Sequence, residues 1–258
     1  MNRSFPIIAT VAAATIAAPS LAGGTTYSTI SVGPETAGWY DADGLTSTVT
    51  GGYDGTQNSL AASGDGKNQF YISGEDLFGS AGLTIGDINS ISYSTKKSGD
   101  ASSPDWFMQI YTNPYSGSPG SAWYGNRIQA EPYLASDLDA PGGQWNDWTT
   151  NGGTNSLNWG DSSNGDFGAG IGDWATLKDT SVLGGSGTYD DAGVLFFTFG
   201  TGSGWANGFD GQIGPITVIF NNGTGTIINF EASTPAVPGP AGLAGILGAG
   251  LLGRRRRR

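Results

Sequence analysis

No stretch of the chain between Gly23 and Pro235 carries a convincing helical period, and this limits the possible folds more than any other feature. Gly, Asn, Asp and Ser punctuate it every 8–15 residues, and glycine alone accounts for 45 positions. Between these breaks lie short runs rich in β-branched and aromatic residues, as a sandwich or barrel requires. The spacing predicts strands over 45–50, 68–73, 88–97, 106–112, 123–131, 144–150, 194–201, 209–220 and 224–231. The run 194–201 (VLFFTFGT) is apolar enough to be a central strand buried on both faces. Asn221-Asn222-Gly223 makes the last two runs a closing hairpin, and Gly214-Pro215 interrupts the first of them. In 88–97, alternation puts Ile88, Ser90, Ser92 and Ser94 on one face and Asn89, Ile91, Tyr93 and Thr95 on the other. One short helix is expected over 173–179, with Asp173 as its N-cap and Trp174 and Leu177 on one side.

The two ends are of a different kind. Arg3 supplies a positive n-region, residues 7–18 an apolar stretch, and Ser20-Leu21-Ala22 a small-x-small site. This is the pattern of a signal peptide over 1–22, cleaved between Ala22 and Gly23. At the other end, Val237-Pro238-Gly239-Pro240 precedes thirteen small or apolar residues and then Arg254, Arg255, Arg256, Arg257 and Arg258. As a helix that apolar run is about 20 Å long, short of a hydrocarbon core of about 30 Å. The arginines would stay on the cytoplasmic side, so the tail suits transient rather than permanent membrane contact. Proline, a short apolar run and terminal arginines together resemble the PEP-CTERM sorting signal of bacterial surface and exopolysaccharide-associated proteins. The resemblance implies recognition and removal of 237–258 by an exosortase-type processing enzyme. The usual motif has Glu where Gly239 stands here, which bears on the subtype of that enzyme.

The formal net charge of −11 understates how acidic the intervening domain is. Six of the eleven basic residues lie in the two ends, whereas all 22 acids fall between Glu35 and Glu231. The domain therefore carries five basic residues (Lys67, Lys96, Lys97, Arg127, Lys178) against 22 acids, a net of −17. Such a surface repels phosphate backbones, and nucleic acid is not an expected partner. Without cysteine, the domain must be held together by its core alone. Without histidine, it has no Ser-His-Asp or Cys-His nucleophile and none of the common zinc sites.

A second resemblance covers most of the domain. Gly38-Trp39-Tyr40, Trp123-Tyr124-Gly125, the run from Gly200 to Trp205 leading into Gly208–Ile213, and Asn229-Phe230-Glu231 are similar to a jelly-roll domain of secreted PEP-CTERM proteins. In that family an Asp often follows the Ile of the late motif; here Gly214-Pro215 stands there, and no ligand is carried over.

Three groups of residues are candidates for chemistry. Of the carboxylates, Glu131, at the end of a Trp/Tyr-bearing run, best suits the acid of a two-carboxylate glycosidase. Asp41 and Asp43, and separately Asp161, Asn164 and Asp166, cluster hard oxygen ligands in turns, as calcium requires. Asx-turns account for both clusters equally well. Trp123, Tyr124, Trp145 and Trp148 stand among amides and carboxylates, the setting in which aromatic rings stack on sugars. Alternation splits each pair, one member to the core and one outward. The expectation is an all-β protein with a single jelly-roll-like sandwich over 23–231, a linker over 232–236 and a short apolar helix in the tail. It would be exported to the cell surface or the extracellular polysaccharide matrix as a non-enzymatic structural, adhesive or carbohydrate-binding protein. No cofactor is required, calcium being the one ion its loops would suit. The alternative is a secreted enzyme that acts on polysaccharide with paired carboxylates.

Overall fold

The computed structural model describes residues 24–113, 126–162, 170–182, 187–202 and 208–231. They form a mostly β structure of two curled sheets packed as a sandwich, with two short helices. In chain order the strands are β1 (Thr26–Val32), β2 (Trp39–Asp41), β3 (Thr46–Tyr53), β4 (Gln57–Gly64), β5 (Asn68–Ser73), β6 (Ile88–Lys97), β7 (Phe107–Thr112) and β8 (Arg127–Ala130). They continue with β9 (Trp145–Thr149), β10 (Trp159–Asp161), β11 (Gly170–Gly172), β12 (Val194–Thr201), β13 (Phe209–Ile213), β14 (Ile216–Phe220) and β15 (Thr224–Phe230).

The first sheet runs β1-β15-β14-β6-β13-β4-β3, with β9 on the free side of β6; the second runs β11-β10-β8-β7-β12-β5-β2. All pairs between these strands are antiparallel except β1 with β15, the first and last strands, which run parallel from Thr26↔Thr224 to Val32↔Phe230.

Alternation explains the core. β12 sends Phe197 and Phe199 inward and β7 sends Met108 and Ile110, while β14 and β15 supply Ile216, Val218, Ile228 and Phe230 from the other sheet. Phe199 packs across the sandwich on Phe230, 5.9 Å between ring centres, and within its own layer on Phe70 at 5.8 Å. Trp106 and Trp148 are completely buried.

Both helices are fixed by their caps. Helix α1 (Gly74–Phe78), which no periodicity announces, starts at Ser73, whose hydroxyl accepts from Asp76 N at 3.0 Å. Helix α2 (Trp174–Asp179) starts at Asp173, whose carboxylate accepts from Thr176 N at 2.8 Å; Trp174 and Leu177 are buried as expected. One face assignment is corrected. A bulge in β6 opposite Ile219/Phe220 turns Ile88 into the core and leaves Asn89 exposed, so Ile88 does not share a face with the serines.

Candidate functional site

β13 and β14 lie end to end along one edge of β6, with a break at Gly214-Pro215 where Gly214 N donates to Ser94 O at 2.8 Å. Beyond β6 they part company: β13 pairs with β4 and β14 pairs with β15. The first sheet therefore forks, and a groove of about 590 Å³ opens there. Its walls are Tyr53 and Gln57 from the β3–β4 hairpin and Ile227 and Asn229 from β15. Pro215, Thr217, Ser92, Ser94, Asp147 and Thr149 also line it, over Tyr93 and Trp148. Asn58, next to Gln57 in the chain, ties β4 to β15 by donating through Nδ2 to Phe230 O at 2.9 Å.

The groove mixes polar and apolar surface, and its aromatic wall is braced. Ser94 Oγ donates to Asp147 Oδ1 at 2.5 Å and shares a hydrogen bond of 3.1 Å with the Tyr53 hydroxyl. The Tyr53 ring meets Trp145 edge-on, with 4.9 Å between centres. Asp147 is exposed, and among the described residues its Oδ2 and the side chains of Gln57, Ser92 and Thr217 have no hydrogen-bond partner. A hydroxyl-rich ligand finds both donors and acceptors here, beside an aromatic ring.

Trp145 and Trp148 fall on opposite faces of β9. Trp145 is half-buried at the outer surface. Trp148 is fully enclosed, its Nε1 donating to Thr95 Oγ1 at 2.7 Å, so no sugar can stack on it. Trp123 and Tyr124 lie outside the described residues, as do Ala22, Gly23, Asn164, Asp166, and the sorting residues Val237, Pro238, Gly239, Pro240 and Arg254–Arg258.

Of the calcium candidates that are described, Asp41 and Asp161 have their carboxylates engaged locally. Both oxygens of Asp41 accept hydrogen bonds, from Asp43 N, Leu45 N and Thr46 N and from Thr46 Oγ1. Burial alone would raise the Asp41 pKa, but the Thr46, Leu45 and Asp43 hydrogen bonds hold it below the usual range. Asp161 accepts from the Tyr189 hydroxyl. Among the described residues no three acidic side chains gather closely enough to hold a metal ion.

Glu131 is buried, but not in this groove. Its Oε1 accepts from Gln129 Nε2 and its Oε2 is enclosed without a partner. Burial pushes its pKa up to about 8, outweighing the Gln129 hydrogen bond, and the nearby Asp105 carboxylate pushes the same way. Asp105 is fully buried and raised to about 6 by desolvation, despite a hydrogen bond from Thr95 at 2.6 Å and Lys97 Nζ at 3.9 Å. The two carboxyl groups sense one another inside the fold. A substrate cannot reach Asp105 there.

Sequence reasoning missed Tyr53, Gln57 and Asn229, which adjoin turns or strand ends. The row Ser92 and Ser94 opposite Asp147 was the available signal, since small polar residues on one face of a strand mark a wet surface. Comparison with family models, with curated proteins and with solved structures finds no match.

Proposed function

We propose that this is an exported, non-enzymatic β-sandwich of the bacterial surface or its extracellular polysaccharide, which binds glycan in the groove at the fork of the first sheet. The observation that carries the reading is the groove itself, where uncommitted oxygen and amide groups of Asp147, Ser92, Thr217 and Gln57 stand beside the Tyr53–Trp145 pair. Such a mixture suits sugar hydroxyls and apolar C–H faces better than an apolar ligand or a phosphate. The −17 charge of the domain favours a neutral sugar at this site, next to Asp147. A jelly-roll topology and an exosortase-processed tail belong to the same proposal and rest on the resemblances of the sequence.

Affinity electrophoresis of the full chain through neutral polysaccharides tests the binding. Retardation that Trp145→Ala or Asp147→Ala abolishes, with each variant still folded at the assay temperature, is the expected result; equal mobility of all three proteins through every polysaccharide tried overturns the groove. Intact-mass analysis of protein released by the native host tests the address. A product that begins near Gly23 and lacks Arg254–Arg258 is expected, and retention of the five arginines rules the sorting tail out.

A further inference from the structure

The open edges of the two sheets are not alike. β2 and β11 are three residues long, and the register of β3 with β4 shifts between Val49 and Tyr53. β9 carries Asp147 at its centre, and Leu157 N donates to Thr149 O at its end. Shortness, bulges and charges of this kind keep an edge from pairing with another chain. β1 has none of them. It runs seven residues (TYSTISV) in unbroken register with β15, without a charge, a proline or a glycine.

The hydrogen bonds at its two ends show which groups β1 leaves open. Thr26 N donates to Gly223 O and Val32 O accepts from Glu231 N, so Thr26, Ser28, Ile30 and Val32 turn their main-chain groups toward β15. Tyr27, Thr29 and Ser31 therefore turn theirs to the free edge, where no other strand pairs with them among the described residues. Their side chains are exposed, while Ile30 and Val32 enter the core. The Tyr27 ring lies back over Gly225, where a Cβ would come within 2.8 Å of it, and so turns away from the edge.

We propose that β1 is a dimer seam, which pairs antiparallel with β1 of a second copy of this chain about a two-fold axis at Thr29. That register sets Thr29 against Thr29 of the partner subunit and Tyr27 against Ser31 of the partner subunit. Every outward N–H and C=O of both strands then finds a partner, about six main-chain hydrogen bonds in all. A second copy is the occupant that the charges favour. β14, β15 and β1, the strip nearest the seam, hold no charged side chain, so two domains of −17 meet there with the least repulsion. A partner that recognised the domain by charge would find none on this strip. The pairing also uses up the open edge of each copy and leaves β3, with its shifted register, at the outer ends, so the assembly stops at two. Ile227 and Asn229, which line the groove, stand in register with Thr29 and Ser31, so the two grooves flank the seam; the dimer itself does not rest on the glycan reading.

Sedimentation equilibrium of the full chain, with no sugar present, tests the seam. A dimer is expected. Thr29→Lys, which sets two ammonium groups face to face at the axis, should raise its dissociation constant at least about tenfold with the circular dichroism unchanged. Because the chain has no cysteine, Thr29→Cys should cross-link to a covalent dimer under mild oxidation. Ser47→Cys, exposed on the edge strand β3, should run as a monomer on the same denaturing gel. A monomer at every concentration, or equal cross-linking of the two cysteine variants, overturns the proposal. So does a dimer that Thr29→Lys leaves equally tight, as association through the two ends of the chain would give.

Discussion

Glu131 shows how a single buried group links pH to stability. Its pKa in the folded chain is about 8, above the ordinary glutamate value of 4.5, so the folded state holds a proton that the unfolded state has released in the interval between them. The resulting stability is fully present below about 4.5 and is lost as pH rises through about 8. Asp105 adds a smaller effect of the same sign, lost through about 6. Thermal melting should therefore fall between pH 5 and pH 8.5 in the parent protein. Glu131→Gln keeps the shape and the hydrogen bond from Gln129 but cannot ionise, so its melting curve should be flatter across that window. Parallel slopes in the two proteins would remove Glu131 as the cause. The tryptophans of β9 give a second residue-scale prediction. Trp148→Ala should cost about 3–5 kcal/mol by opening a core cavity and orphaning the Thr95 contact. Trp145→Ala should cost about 0.5–1.5 kcal/mol, the worth of an aromatic pair. Urea denaturation of both variants measures the difference.

At the scale of the element, the break between β13 and β14 makes the groove. A methyl group on Gly214 would come within 2.8 Å of the Tyr53 ring, so Gly214→Ala must push Tyr53 off the fork. Glycan retention should fall while the sheet persists, and circular dichroism together with affinity electrophoresis checks both halves. Gly214-Pro215 was legible in the sequence as an interruption, and β12, β14 and α2 were legible almost to the residue, because phenylalanines, β-branched runs and an aspartate cap are strong local signals. By contrast β1 has four exposed residues in succession and β4 is built largely of Ser, Ala, Gln and Gly, so neither has an apolar period to read. The groove was invisible for a related reason. It joins residues of β3, β4, β6, β9, β14 and β15, from Tyr53 to Asn229, and such partners follow from topology rather than from spacing. The polar face of the second sheet was half visible, in that alternation separates Gln109 and Tyr111 from Met108 and Ile110. That this second side is also buried depends on the three-dimensional packing.

At the scale of the molecule, the parallel pairing of β1 with β15 determines how the domain answers a pull. The chain enters β1 beside Gly223, with Thr26 N donating to Gly223 O at 3.2 Å, and leaves β15 beside Val32, with Glu231 N donating to Val32 O at 2.8 Å. Those two points lie at opposite ends of a seven-residue ladder, about 23 Å apart at the usual strand rise. Tension between residues 24 and 231 slides one strand along the other, and every rung of the ladder is strained at once. Tension between residues 24 and 222, which sit at the same end, peels the rungs one by one. Single-molecule force spectroscopy with handles at each pair of positions should give a clearly higher rupture force for the first geometry; equal forces would mean that β1 bears no load. A chain tethered through its last strand and drawn outward through its first would meet drag as a shear clamp, holding until the whole seam gives way together.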